Sequence, residues 1–170
     1  YCEHGIHYKM GILLYGPPGS GKSTIARAIA TYLDWSIYVI NSKSDINPES
    51  ISNKKVVIIE DIDCFVGDRE VISDDKKNTS MDILLNFLDG TSSPNQCIII
   101  ATTNYIDRVD KAILRPGRFD FKFKVDYINK EQAKLVCDRY QVDYDILDSF
   151  TFPISVAEIQ NAIFLKKNIS

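Results

Sequence analysis

The chain has 170 residues, the size of one ordinary domain or of a domain with a small appendage, and too few for two independent cores. Its 45% apolar and 25% charged residues are typical of a folded protein and exclude wholesale disorder. Twenty Lys and Arg against 23 Asp and Glu leave a net charge of −3 without a long basic run, which argues against a nucleic-acid binder working by bulk charge.

The chain opens at Tyr1 with no initiator methionine and no charged-then-apolar leader, and is expected to be a fragment from which an anchor or address could be missing. A first apolar run, Ile12 to Tyr15, leads into a glycine-rich stretch. Ile25, Ala28, Ile29, Tyr32 and Leu33 then recur at helical spacing. Further runs are Ile37 to Ile40 and Val56 to Ile59, and polar residues from Gly67 to Thr79 read as a loop. Ile83, Leu84, Phe87 and Leu88 predict a second helix, with Gly90 expected to stop it. Ile98 to Ala101 is another run, and Phe121 to Val125 alternates Phe with Lys before Val125.

Most of these runs are continuous, as in strands covered on both faces, and strands alternating with helices predict a parallel sheet. After Val125 the strand signal stops. Asn129 with Gln132 and Ser155 with Glu158 are capping-box pairs that open two predicted helices, Glu131 to Tyr140 and Val156 to Lys167. Residues 1–126 are therefore expected to form the α/β body and 127–170 a small helical appendage. The longest apolar stretch, Cys97 to Ala101, is far short of the roughly 20 residues that span a bilayer. Cys2, Cys64, Cys97 and Cys137 include no close pair, so neither a zinc site nor a dense disulfide framework is expected, and a reducing compartment is the default.

Gly16-Pro17-Pro18-Gly19-Ser20-Gly21-Lys22-Ser23 matches the GxxxxGK[ST] phosphate loop, between an apolar strand and an amphipathic helix as the mechanism requires. Glycines let backbone N–H groups approach polyphosphate, and the helix N-terminus adds a favourable dipole. Lys22 can reach the β- and γ-phosphates, and the Ser23 hydroxyl can ligate Mg²⁺. Val56 to Ile59 runs directly into Glu60-Asp61-Ile62-Asp63, placing acids at the tip of a buried strand. By position Glu60 is the metal-side acid and Asp61 the water-polarising one; Asp63 reads as structural. Asp61 is one methylene shorter than the Glu usual at that position, so the water must sit closer to the backbone or be reached less directly.

Asn104 ends the next buried run, near enough to a γ-phosphate to position water if its strand lies beside the first, or else caps a turn. Arg115-Pro116-Gly117-Arg118 puts two arginines on a turn, either a surface charge pair or arginine fingers for a neighbour's γ-phosphate.

With these pieces in order, the chain resembles the AAA family of ring-forming ATPases. The motifs are GPPGSGKST at 16 to 24, which adds Thr24 to the ATP-binding residues, the acidic strand end at 58 to 63, ATTN at 101 to 104 and RPGRFD at 115 to 120. Within the family it looks most like the branch of the mitochondrial translocase of the Rieske iron–sulfur protein. The residues behind this are Tyr1 and Gly5 to Gly11, the Glu60-Asp61 order, Leu84 to Gly90, Thr103-Asn104 with Asp107 to Asp110, and Ile154-Ser155. His7 and Lys111 stand where those relatives commonly carry Pro.

The resemblance implies an α/β P-loop NTPase fold with a five-stranded parallel sheet flanked by helices, plus a C-terminal helical lid. It also implies ATP and Mg²⁺ as cofactors, a homo-oligomeric ring (hexamer or heptamer), and a protein substrate. Asn104 is then the γ-phosphate sensor, Arg115 and Arg118 act in trans, and Ile6 and His7 flank the adenine. The implied location is the mitochondrial inner membrane, with an anchor outside this fragment. Residues 41–55 lack the aromatic and the Gly with which peptide-threading motors grip an extended chain, so either the substrate is not threaded, the favoured reading and one that suits a folded substrate, or the gripping parts are missing from the fragment. Two other readings remain open at this stage: a P-loop phosphotransferase active as a monomer, and an ATP-gated scaffold with little turnover.

Overall fold

The apolar runs become strands of one parallel sheet in the computed structural model, which describes residues 9–41, 46–47, 54–66, 80–89 and 96–169. The strands are β1 (Lys9–Tyr15), β2 (Ser36–Ile40), β3 (Lys55–Ile59), β4 (Cys97–Thr103) and β5 (Phe121–Lys124). They lie in the order β2-β3-β4-β1-β5, and every neighbouring pair is parallel. Helices α1 (Lys22–Leu33) and α2 (Ser80–Asp89) lie between β1 and β2 and between β3 and β4 in the chain, and the sheet is flanked by helices. Because all strands run the same way, Tyr15, Ile59 and Thr103 end at one edge of the sheet, where ligands of open α/β sheets bind.

β4 shows why the continuous apolar runs are needed. It pairs with β1 on one side and β3 on the other, Ile99 facing Gly11 and Val57 in register, and all seven of its residues are buried. Ile40, Val57, Ile59, Leu84, Phe87, Leu88, Ile99 and Ile113 belong to one core, each such side chain contributing about 1.5–3 kcal/mol through its removal from water. Gly11 is needed where β1 meets the segment before β5: a Cβ there would collide with the Arg118 carbonyl, and its N–H donates to Asp120 Oδ2 at 3.0 Å.

The helix predicted from the spacing forms as α1; of its periodic residues Ile29 and Leu33 are half-buried and Ile25 and Tyr32 are 38% and 90% exposed, while Ala26 and Ala30 are its buried apolar residues. β5 is an edge strand with all four residues exposed, the Phe121 and Phe123 rings stacked 6.2 Å apart.

The described residues form two compact units, one within Tyr1–Tyr15 and Ser23–Lys124, the other within Gly16–Lys22 and Val125–Ser170. The phosphate loop thus groups with the C-terminal residues. That second unit holds α3 (Lys130–Tyr140) and α4 (Val156–Ile169) around Ala133, Cys137, Leu147, Ile154, Ile159 and Ile163. Both capping boxes form as read from the sequence. Asn129 Oδ1 accepts the Gln132 N–H at 2.9 Å while Gln132 Oε1 accepts that of Asn129 at 3.0 Å. Ser155 and Glu158 reciprocate similarly.

No helix among the described residues is long and apolar enough to cross a membrane. Cys2, Ile6, His7, Gly90, the 67–79 loop and most of 41–55 lie outside the described residues.

Candidate functional site

The phosphate loop is built on glycine conformations closed to other residues. Gly16, Gly19 and Gly21 have φ of 148°, 72° and 99°, a region that L side chains rarely adopt. A Cβ at Gly16 would collide with the Val125 carbonyl, whereas one at Gly21 meets nothing within 4 Å. The loop therefore has backbone N–H groups in an unusual curl and open space at Gly21, the form of an anion cradle. Lys22 is buried at 7% exposure, its ammonium donating to Gly16 O at 2.8 Å and Pro17 O at 2.7 Å. A buried cation requires such partners. Gly19 O accepts the N–H of Ala157 at 3.1 Å, so a first-turn donor of α4 with no intrahelical partner is satisfied by the loop.

Beyond β3, the two threonines that end β4 hold the acidic segment. Thr102 Oγ1 accepts the Asp61 N–H at 3.3 Å, and Thr103 Oγ1 donates to Asp63 Oδ1 at 2.5 Å while accepting the Tyr105 N–H at 2.9 Å. Asp61 sits in the left-handed region, φ 48°, with its carboxylate exposed; that conformation is uncommon outside Gly, Asn and Asp. Glu60 is half-buried and lies 3.8 Å from Arg27 Nη2 on α1. Asp63, bound by Thr103, has the structural setting expected of it. Arg27 was not singled out from the sequence, and Thr102 and Thr103, quoted there within ATTN, were given no role of their own.

Asn104 follows β4 and is half-buried. The two arginines differ. Arg115 is exposed and makes no side-chain hydrogen bond among the described residues, its charge acting on Asp89 without direct contact. Arg118 is 9% exposed, its Nε and Nη2 donating to Asp89 Oδ1 and Oδ2 at 2.6 and 2.7 Å and its Nη1 to the Ala112 carbonyl. The Arg118 guanidinium holds the Asp89 carboxyl below the usual carboxylate range, and Asp89 raises Arg118 in turn. Nearby, Lys9 Nζ donates to the Leu88 carbonyl, and burial lowers the Lys9 ammonium below its ordinary value.

The residues 12–127 match the sequence model of the "ATPase family associated with various cellular activities (AAA)". The chain is 37% identical over 155 aligned positions to AAA-ATPase At3g50940 of Arabidopsis thaliana, covering 82% of this chain and 34% of that protein. It is 31% identical over 191 positions to the mitochondrial chaperone BCS1 of Homo sapiens, covering 99% and 46%. The probable mitochondrial chaperone bcs1 of Schizosaccharomyces pombe is 36% identical over 150 positions, covering 82% and 33%. The chain spans about a third to a half of the length of these relatives.

Proposed function

We propose, from the premise that this chain belongs to the AAA family of ATPases, that it is the Mg²⁺-dependent ATP-hydrolysing core of a ring motor that remodels or translocates a protein. Nucleotide binding and ATPase activity in general follow from the family. The observation that carries the more specific reading is the phosphate loop: positive-φ glycines at 16, 19 and 21 with the Lys22 ammonium held on the loop's own carbonyls. Polyphosphate would be cradled by Gly16 to Thr24, with Lys22 exchanging carbonyl partners for phosphate oxygens.

The donor set fits a hard cation, since the Ser23 hydroxyl and the Glu60 carboxylate are oxygen ligands of the kind Mg²⁺ takes together with phosphate and water. When bound, Mg²⁺ neutralises charge on the transferring phosphoryl group. Asp61 orients the attacking water from a carboxylate whose backbone is held by Thr102, and Asn104 acts as the sensor of the γ-phosphate. An arginine of the Arg115–Arg118 turn serves the pocket of an adjoining subunit. A homo-oligomeric ring, hexamer or heptamer, is the assembly this requires.

The substrate and the location extend the names of relatives. Two are called mitochondrial chaperones, which supports a protein substrate and a mitochondrial setting for the full-length protein. The polar 41–55 segment, with neither aromatic residue nor Gly, supports a folded rather than a threaded substrate.

ATP turnover per chain against protein concentration tests the reading. Turnover is expected to rise with assembly, and Asp61→Asn subunits mixed with subunits lacking the trans arginines are expected to recover part of it. Flat activity on dilution would favour a monomeric phosphotransferase, and assembled rings without turnover a scaffold.

A further inference from the structure

A carboxylate at the last residue of a helix faces the negative end of the helix dipole and is unfavourable there unless it is paired. Asp89 ends α2 and is held in this position by both prongs of the Arg118 guanidinium. The geometry of planar fork on carboxylate fixes direction as well as distance. The third contact of Arg118 is more specific: the Ala112 carbonyl that accepts its Nη1 also accepts the backbone N–H of Arg115 at 3.5 Å, while the Arg118 N–H returns to Arg115 O at 3.2 Å. Gly117, with φ 86°, closes the turn.

We infer that Asp89 and Arg118 form a brace that presents Arg115, making Arg118 a positioning residue and Arg115 the guanidinium offered to the neighbouring subunit. The inference rests on the trans-arginine reading above. Arg118 could reach another chain only by leaving Asp89 and the Ala112 carbonyl together. Arg115 is exposed on the same turn and has no such bonds to break.

The test is a kinetic double-mutant cycle on the full chain, with assembly followed by sedimentation and folding by thermal melts. Asp89→Asn is expected to lower kcat about 10- to 100-fold while KM for ATP stays within about twofold, as for misplacement of a group that acts only in the transition state. Arg115→Ala is expected to lose about 10³-fold or more, and adding Asp89→Asn to it is expected to cost nothing further. Asp89→Glu is expected to restore most of the rate. If Asp89→Asn does not assemble, Arg118→Lys, which keeps the charge and loses the fork, takes its place in the cycle.

Multiplying losses in the double variant, or a parental rate for Asp89→Asn with Arg115→Ala impaired, overturns the brace alone. A parental rate for Arg115→Ala with Arg118→Ala impaired overturns the brace and leaves Arg118 as the trans arginine, whereas parental rates for both single variants overturn the trans-arginine reading and the brace with it.

Discussion

Thr102 of β4 and Asp61, two residues past the end of β3, are joined directly, the threonine hydroxyl oxygen accepting the aspartate's N–H at 3.3 Å. The bond fixes a left-handed peptide directly behind the carboxylate assigned to the attacking water. Thr102→Val is nearly isosteric but removes the acceptor, and is expected to lower kcat about tenfold, with Thr102→Ser close to parental. Phosphate release at saturating ATP measures both. Asp61→Asn is expected to bind ATP nearly as the parent does and to lose at least about 100-fold in turnover, the scale of a lost general base. Hydrolysis at the parental rate would remove Asp61 from that role.

Two glycine substitutions separate folding from function. Gly11→Ala places a methyl group against the Arg118 backbone, and the chain is expected to be strongly destabilised or insoluble. Gly21→Ala has room for the methyl group but not the right backbone preference at φ 99°, at a strain of about 1–3 kcal/mol. It is expected to fold with a lower Tm and bind ATP poorly, as read by melts with and without nucleotide.

The capping box of α4 gives a pH-dependent prediction. Hydrogen bonds from the Ser155 hydroxyl and N–H hold the Glu158 carboxyl below its ordinary value, and Asp89 is held low by Arg118. The unfolded chain therefore binds more protons in the acid range, so stability rises with pH there. The contribution is present above the ordinary carboxylate pKa values, about 4, and is lost as pH falls through the lower folded values. Glu158→Gln is expected to flatten that acid limb in urea melts at stepped pH. Ser155→Ala is expected to cost about 0.5–2 kcal/mol at neutral pH.

How far these features could be read in advance follows from the distance over which each is encoded. The capping boxes were legible because donor and acceptor lie three residues apart, and the phosphate loop because its glycines, lysine and serine are consecutive. β3 and β4 were legible as buried because both of their faces are apolar. The Asp89–Arg118 fork and the Thr103–Asp63 bond join residues 29 and 40 positions apart, and only the strand order brings them together. For α1 the spacing gave the helix but not its burial, since Ala26 and Ala30 are buried while Ile25 and Tyr32 of the apolar stripe are exposed.

Thiol chemistry provides an independent check on the core. Burial raises the Cys97 and Cys137 thiols above their ordinary value, while Cys64 is exposed. Since the thiolate is the reactive form, peptide mapping after brief alkylation of the native chain is expected to find Cys64 modified and Cys97 and Cys137 protected until denaturant is added. Early labelling of Cys97 would contradict the packing of β4.

The peptide plane at Gly19 has two sides to answer to. Its oxygen is tethered to the opening turn of α4 through Ala157, and its neighbours in the curl are those assigned to meet phosphate. A rotation of that plane when phosphate arrives or departs would pull on the start of a 14-residue helix. One peptide unit therefore belongs to the anion cradle and caps the first turn of a helix at once, so a change at Gly19 is felt by both.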